Sequence, residues 1–164
     1  MEDFVFSRAA REDAPEIAAL YRRVAAGNAE NLSGWNDEYP TREFADADLK
    51  DGAVYVARLD GKIVASVSRL PGDDLDDLPV AYTPGRSCVM NRLCGEPPRQ
   101  REGLGRRLAA YACAAAKAEG CVTERHLCLR GNDPANRLHE AMGCRRLGEA
   151  RLYDLDFIVY ERVL

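Results

Sequence analysis

From Gln100 to Arg107 the chain reads Gln-Arg-Glu-Gly-Leu-Gly-Arg-Arg. Gly103 and Gly105 lack the β-carbons that would hold a ligand away from the backbone. They open an apolar helical pattern that begins at Leu104, and the first amides of such a helix have no internal acceptor. Free N–H groups at the positive end of a helix dipole form an anion site. Arg99, Arg101, Arg106 and Arg107 surround this one with positive charge. A pyrophosphate suits it. The loop is neither the dinucleotide fingerprint, which needs a third glycine, nor the triphosphate loop, which ends in Gly-Lys-Ser or Gly-Lys-Thr. Two glycines this close also suit an ordinary turn with solvated arginines, so the spacing alone leaves both readings open.

Such a loop has to be held between a strand and a helix, and the flanking sequence supplies both. Ser87 to Cys94 reads as a strand, and Leu104 to Glu119 places Leu104, Leu108, Tyr111, Ala112 and Ala115 on one helical face before Gly120 stops it. Upstream, Asp3 to Arg8 alternates as a strand. Asp13 stands as the N-cap of a helix that carries Ile17, Leu20, Tyr21 and Val24 as far as Gly27. Asn28 to Pro40 is a loop, and Thr41 to about Lys50 a short helix. Ala53 to Leu59 and Lys62 to Leu70 form a hairpin about Asp60-Gly61, a dipeptide suited to a two-residue turn. Downstream come a strand from Thr123 to Arg130, a helix from Pro134 to Met142 ended by Gly143, and strands near Cys144 to Leu152 and Leu155 to Val163. Antiparallel hairpins followed by strand–helix alternation predict one α/β (α+β) domain over residues 1–164, a mixed sheet with helices on its faces.

The charge balance, 23 basic against 27 acidic side chains, excludes a general nucleic-acid or anionic-membrane binder, since both need a positive face. Met1-Glu2-Asp3 is acidic where a signal peptide is basic, and the longest apolar run, Leu108 to Ala116, is too short to span a bilayer. A cytoplasmic protein is expected. The six cysteines, Cys88, Cys94, Cys113, Cys121, Cys128 and Cys144, form no C-x-x-C pair, so they read as reduced thiols used as small apolar residues, and no metal is expected.

Gln100-x-x-Gly103-x-Gly105 resembles the Q/R-x-x-G-x-G/A acyl-CoA loop of the GNAT superfamily of N-acetyltransferases, and Arg92 to Pro97 resembles that family's fourth strand. Asn132 to Gly143 is similar to the family's N-x-x-A-x-x-L-Y-x-x-x-G segment on the helix after the fifth strand, and Trp35 to Tyr39-Pro40 looks like a subset of the family. The resemblance implies a mostly antiparallel sheet of about seven strands, splayed between the fourth and fifth. It also implies acetyl-CoA as co-substrate. Leu93, Cys94 and Gly95 would run along the pantetheine arm as an added strand does. Amides of Gln100, Arg101, Glu102, Gly103, Leu104, Gly105 and Arg106 would hold the pyrophosphate, with Asn132 and Asn136 on the pantetheine side.

Two positions depart from the family. A valine is common where this chain has Gly95, a loss expected to cost a core side chain. The tyrosine that protonates the leaving thiolate is replaced by His139. With a pKa of about 6.5 an imidazole is partly protonated at neutral pH and can take that role. The other reading makes His139 a packing residue and leaves the proton to water. His126, within a strand, reads as structural. Glu96 is a general-base candidate beside a water relay. Trp35 and Tyr39 form an aromatic wall for the acceptor, or simply pack their loop, and the acidic run Asp73 to Asp77 attracts a cationic amine or is merely solvated. The expected reaction is direct acetyl transfer to an amine of a small molecule or protein, with no metal, nucleic-acid or membrane partner, and a homodimer among the expected assemblies. A non-catalytic acyl-CoA sensor is the alternative, motivated by Gly95 and the missing tyrosine.

Overall fold

The computed structural model describes residues 2–28, 32–71 and 75–164. Its elements follow the order β1 (Val5–Arg8), α1 (Ala14–Ala26), α2 (Arg42–Asp51), β2 (Ala53–Leu59), β3 (Lys62–Pro71), β4 (Ser87–Gly95), α3 (Leu104–Ala118), β5 (Thr123–Leu129), α4 (Asp133–Ala141), β6 (Arg145–Leu152) and β7 (Leu155–Val163). Their boundaries lie close to those the sequence predicts. Asp60 and Gly61 both take positive φ, 49° and 79°, as a two-residue turn of the mirror-image type requires. Asp13 departs from its expected role. Its carboxylate accepts the Ala10 N–H at 2.8 Å and the Arg58 guanidinium at 2.7 Å, and caps no amide of α1.

The seven strands form one sheet in the order β1-β2-β3-β4-β5-β7-β6, antiparallel throughout except at β4–β5. Helices α1 and α2 cover one face, where Ile17, Leu20, Tyr21, Val24 and Ala45 meet Val54, Val56 and Ile63. Helix α3 covers the other, setting Leu104, Leu108, Ala112 and Ala116 against Tyr55, Ala57, Val67 and Met90. Helix α4 is thinly attached. Its apolar residues Ala135 and Leu138, and Met142 just beyond it, are only partly covered, and the residue it buries is Asn136.

The parallel contact between β4 and β5 is short. It pairs Ser87 with Thr123, Cys88 with Glu124 and Val89 with Arg125. Beyond those pairs the strands diverge, and the sheet is splayed there as expected. A bulge in β4 contributes: Ser66 faces Cys94 and Ser68 faces Asn91, so Val67 lies opposite both Arg92 and Leu93. Arg92 takes φ 54°, which bends the strand out of register with β5.

Candidate active site

The splay leaves one edge of β4 without a strand partner from Met90 to Gly95, while the opposite edge stays paired with β3 through Gly95. An extended ligand can add to such an edge by main-chain hydrogen bonds. Leu93, Cys94 and Gly95 lie where the sequence places them. A β-carbon at Gly95 would meet no atom within 4 Å, so the glycine costs the core nothing, contrary to expectation. The Cys94 side chain points away from the splay. It is buried among α1 residues with its Sγ 4.0 Å from Ser66 Oγ, and burial pushes the thiol up to about 12.

The Gln100–Arg107 segment turns directly off this edge. Gln100 Nε2 donates to the Gly95 carbonyl at 3.2 Å, tying the loop to the end of β4. Arg101 and Gly103 both have positive φ, 72° and 77°, and left-handed residues in a tight loop turn successive N–H groups toward one concavity. The first cap bond of α3 runs from Arg107 N to Gly103 O at 3.1 Å; among the described residues the amides from Arg101 to Arg106 have no acceptor. Gly103 opens to free space, so nothing stands between a ligand and its backbone. Gly105 differs: a β-carbon there would sit in ordinary van der Waals contact with Leu138 Cδ2 at 3.8 Å, so the packing of α3 near α4 does not itself require a glycine. Only two of the four arginines have no partner among the described residues. Arg99 is ion-paired with Glu2, with Glu96 at 3.9 Å and with Glu102 at 4.0 Å, and Arg107 lies over the rings of Phe6 and Phe4 at 5.1 and 5.5 Å. Arg101 and Arg106 are exposed and carry the positive charge of the loop. Orphan amides, an open glycine and two unpaired guanidiniums fit the pyrophosphate of coenzyme A.

On the β4 wall stands a network the sequence did not reveal. Asp48, 3% exposed, accepts from Arg92 Nη2 at 2.5 Å, Arg92 Nε at 2.7 Å and Ser68 Oγ at 2.5 Å. Arg92 also donates to Tyr39 Oη at 3.0 Å and lies 5.3 Å from the Phe44 ring. Tyr39 therefore reaches the bulge at the splay. Trp35 does not, packing edge-on against Tyr21 with ring centroids 5.5 Å apart. The one sequence signal for this network was Asn91-Arg92 interrupting an apolar strand. Glu96, the base candidate, is held by Arg23 at 2.9 Å. In the acidic run, residues 72–74 lie outside the described residues, and Asp76 is engaged by Arg125 at 2.8 Å.

On the β5 wall, Asn132 caps α4 by accepting the Ala135 N–H at 3.4 Å. Asn136, expected at the cofactor, is occupied within the protein. Its Nδ2 donates to the carbonyls of Leu129 and Asn132, both at 3.0 Å, and its Oδ1 accepts from Tyr160 Oη at 3.0 Å. His139 packs on the sheet, its ring 4.0 Å from that of His126 and 5.5 Å from that of Tyr160. Burial, with His126 adding to it, pushes His139 down to about 3. The imidazolium expected as proton donor is therefore not its form at neutral pH.

A sequence model of the acetyltransferase (GNAT) family matches residues 16–144. No curated protein matches the sequence. A GNAT-family acetyltransferase from Streptococcus agalactiae 2603 has a similar structure, with a TM-score of 0.81 at 15% identity over 98% of this chain and 95% of that one. Another from Streptococcus pneumoniae gives 0.76 at 18% identity over 99% of both chains. The ribosomal-protein-S18-alanine N-acetyltransferase of Escherichia coli gives 0.75 at 16% identity, covering 98% of this chain and 94% of that one. At such identities the structural likenesses speak for the fold. The family match spans most of the chain, and the chain belongs to the GNAT family of N-acetyltransferases.

Proposed function

We propose that this chain is a single-domain cytoplasmic enzyme that moves the acetyl group of acetyl-CoA directly to an amine of a small molecule or protein. The observation that carries this reading is the unpaired β4 edge from Met90 to Gly95 running into the acceptor-free amides of Arg101 to Arg106. One edge and one loop match the two halves of the cofactor, an amide-bearing arm and a pyrophosphate. The neutral amine attacks the thioester carbon, the carbonyl becomes an oxyanion, and its collapse expels the CoA thiolate. The thiolate takes up one proton as the amine loses one. His139 is neutral and Glu96 is ion-paired, so we assign both transfers to water within the splay. Tyr39, held by Arg92, lines the acceptor side.

The test is thiol release on a panel of amines, with thermal-shift titration as the binding control. The similar Escherichia coli structure is a ribosomal-protein-S18-alanine N-acetyltransferase, so peptides with an N-terminal alanine belong on the panel beside polyamines and small amines. Acetyl-CoA at about one hundred times its Kd should stabilise the fold by about 2.7 kcal/mol. No stabilisation by CoA or acetyl-CoA overturns the reading. Stabilisation without thiol release on any amine favours the second reading, an acyl-CoA sensor, which the neutral His139 and the engaged Glu96 also support.

A further inference from the structure

We propose that His126, His139 and Cys144 bind one zinc ion at the apex of the splay, with Glu124 orienting His126 from behind. The proposal goes beyond acetyl transfer and does not rest on it. One ligating atom from each of the three residues lies within 4.8 Å of the others. Two imidazoles and a thiolate form a donor set that suits Zn²⁺, with nitrogen and sulfur ligands at about 2.1 and 2.3 Å in a tetrahedron.

Local sequence brings two ligands together. Helix α4 ends in a Schellman turn: Cys144 N donates to His139 O at 3.1 Å and Gly143 N to Glu140 O at 3.0 Å, with Gly143 at φ 84°. In that turn the residue beyond the glycine folds back beside the residue five positions earlier, so Cys144 comes to lie beside His139. The third ligand rises from the sheet beneath. His126 is the first β5 residue past the last β4–β5 pair, Val89 with Arg125.

His126 is prepared as a ligand. Its Nδ1 is bonded to Glu124 Oε1 at 2.5 Å, both side chains are buried, and its ring stacks on Tyr160 with centroids 5.2 Å apart. Its Nε2 is buried with no hydrogen-bond partner. A carboxylate on one ring nitrogen and a metal on the other is the usual outer-shell arrangement of a zinc histidine. An orphaned buried nitrogen is costly in a packing role and useful in a ligand. Cys128, Ile158, Ala135 and Met142 form an apolar surround. Binding displaces the Cys144 thiol proton to solvent, one per ion, and the thiolate and Glu124 balance the two charges of the metal. Three protein ligands leave a fourth position for water.

The experiment titrates the full chain with Zn²⁺ against a chromophoric chelator and with Co²⁺ as a spectroscopic substitute. One ion per chain is expected, with the visible bands of tetrahedral cobalt and a near-ultraviolet thiolate-to-cobalt band. Cys144→Ser should remove the near-ultraviolet band and weaken Zn²⁺ at least 100-fold, as should His126→Asn. Glu124→Gln should weaken it about 10- to 100-fold. Cys128→Ser, in the same apolar cluster, should leave affinity within twofold. The wild-type spectrum decides even if a variant fails to fold. No uptake by the wild type, uptake without the thiolate band, or unchanged affinity in folded Cys144→Ser each overturns the proposal.

Discussion

Each wall of the splay buries a carboxylate, and the two are completed differently. On the β4 wall Asp48 accepts three hydrogen bonds from Arg92 and Ser68, and Arg92 goes on to hold Tyr39. On the β5 wall Glu124 reaches His126, whose far nitrogen has no partner. The first arrangement fixes a strand at the point where a bulge would otherwise leave it free to move. The second leaves one buried ring nitrogen without a hydrogen-bond partner, on a histidine that lies beside His139 and Cys144. Burial of polar groups thus serves rigidity on one side and ligand binding on the other.

The largest expected effect tests the rigid wall. Asp48→Leu strands a guanidinium that is 8% exposed, and breaking a buried pair from one side costs about 3 to 5 kcal/mol. Chemical denaturation should show that loss, and the double variant Asp48→Leu/Arg92→Met should recover most of it. Equal losses in the single and double variants would mean that the pair does not hold this wall.

The second prediction concerns the other wall without metal. His139 sits at about 3 in the fold, below the ordinary 6.5, so the unfolded chain binds more protons between these values. Its contribution is complete above pH 6.5 and falls away as pH drops toward 3. Over pH 7 to 4 this amounts to roughly 2 to 3 kcal/mol. In metal-free protein, His139→Phe should flatten that part of the stability–pH curve. The pH–rate profile should likewise show no limb near 6.5 that His139→Phe removes. A lost limb would restore the imidazolium acid and with it the expectation from sequence.

The loop proposed to hold the pyrophosphate separates engaged from free arginines. Arg101→Ala and Arg106→Ala should each weaken CoA about fivefold, near 1 kcal/mol, while Arg107→Ala, on Phe4 and Phe6, should leave CoA affinity within twofold. Isothermal titration of the three variants decides. Equal losses would return Arg107 to the ligand.

The strands, the helices and the glycine loop that opens α3 were legible because each rests on local signals: alternation, the Asp60-Gly61 turn, and glycines at a helix start. The network around Asp48 was not. Asp48 lies in a short polar helix and Arg92 on a strand 44 residues away, and only the bulge opposite Val67 turns one toward the other. His139 was placed on the right helix, but its neutrality depends on burial against β5 and β7, which periodicity along α4 cannot report. The convergence of Cys144 on His126 was hidden for the same reason, although Gly143 already marked the turn that makes half of it.

Gly95 gives the smallest expected effect and the cleanest contrast between core and edge. Sequence comparison with the family suggests a missing core side chain, which would make Gly95→Val stabilising. The structure opposes that, because a β-carbon there meets nothing within 4 Å and Gly95 has no positive φ. The stability change should stay within about 0.5 kcal/mol, the ordinary range for a surface substitution. Any effect should fall on the cofactor, since the valine would stand beside the edge to which we assign the pantetheine arm. Denaturation and CoA titration of the same variant separate the two. A stability gain near that of a buried valine, about 1.5 kcal/mol or more, would place position 95 in the core after all and move the start of the splay beyond it.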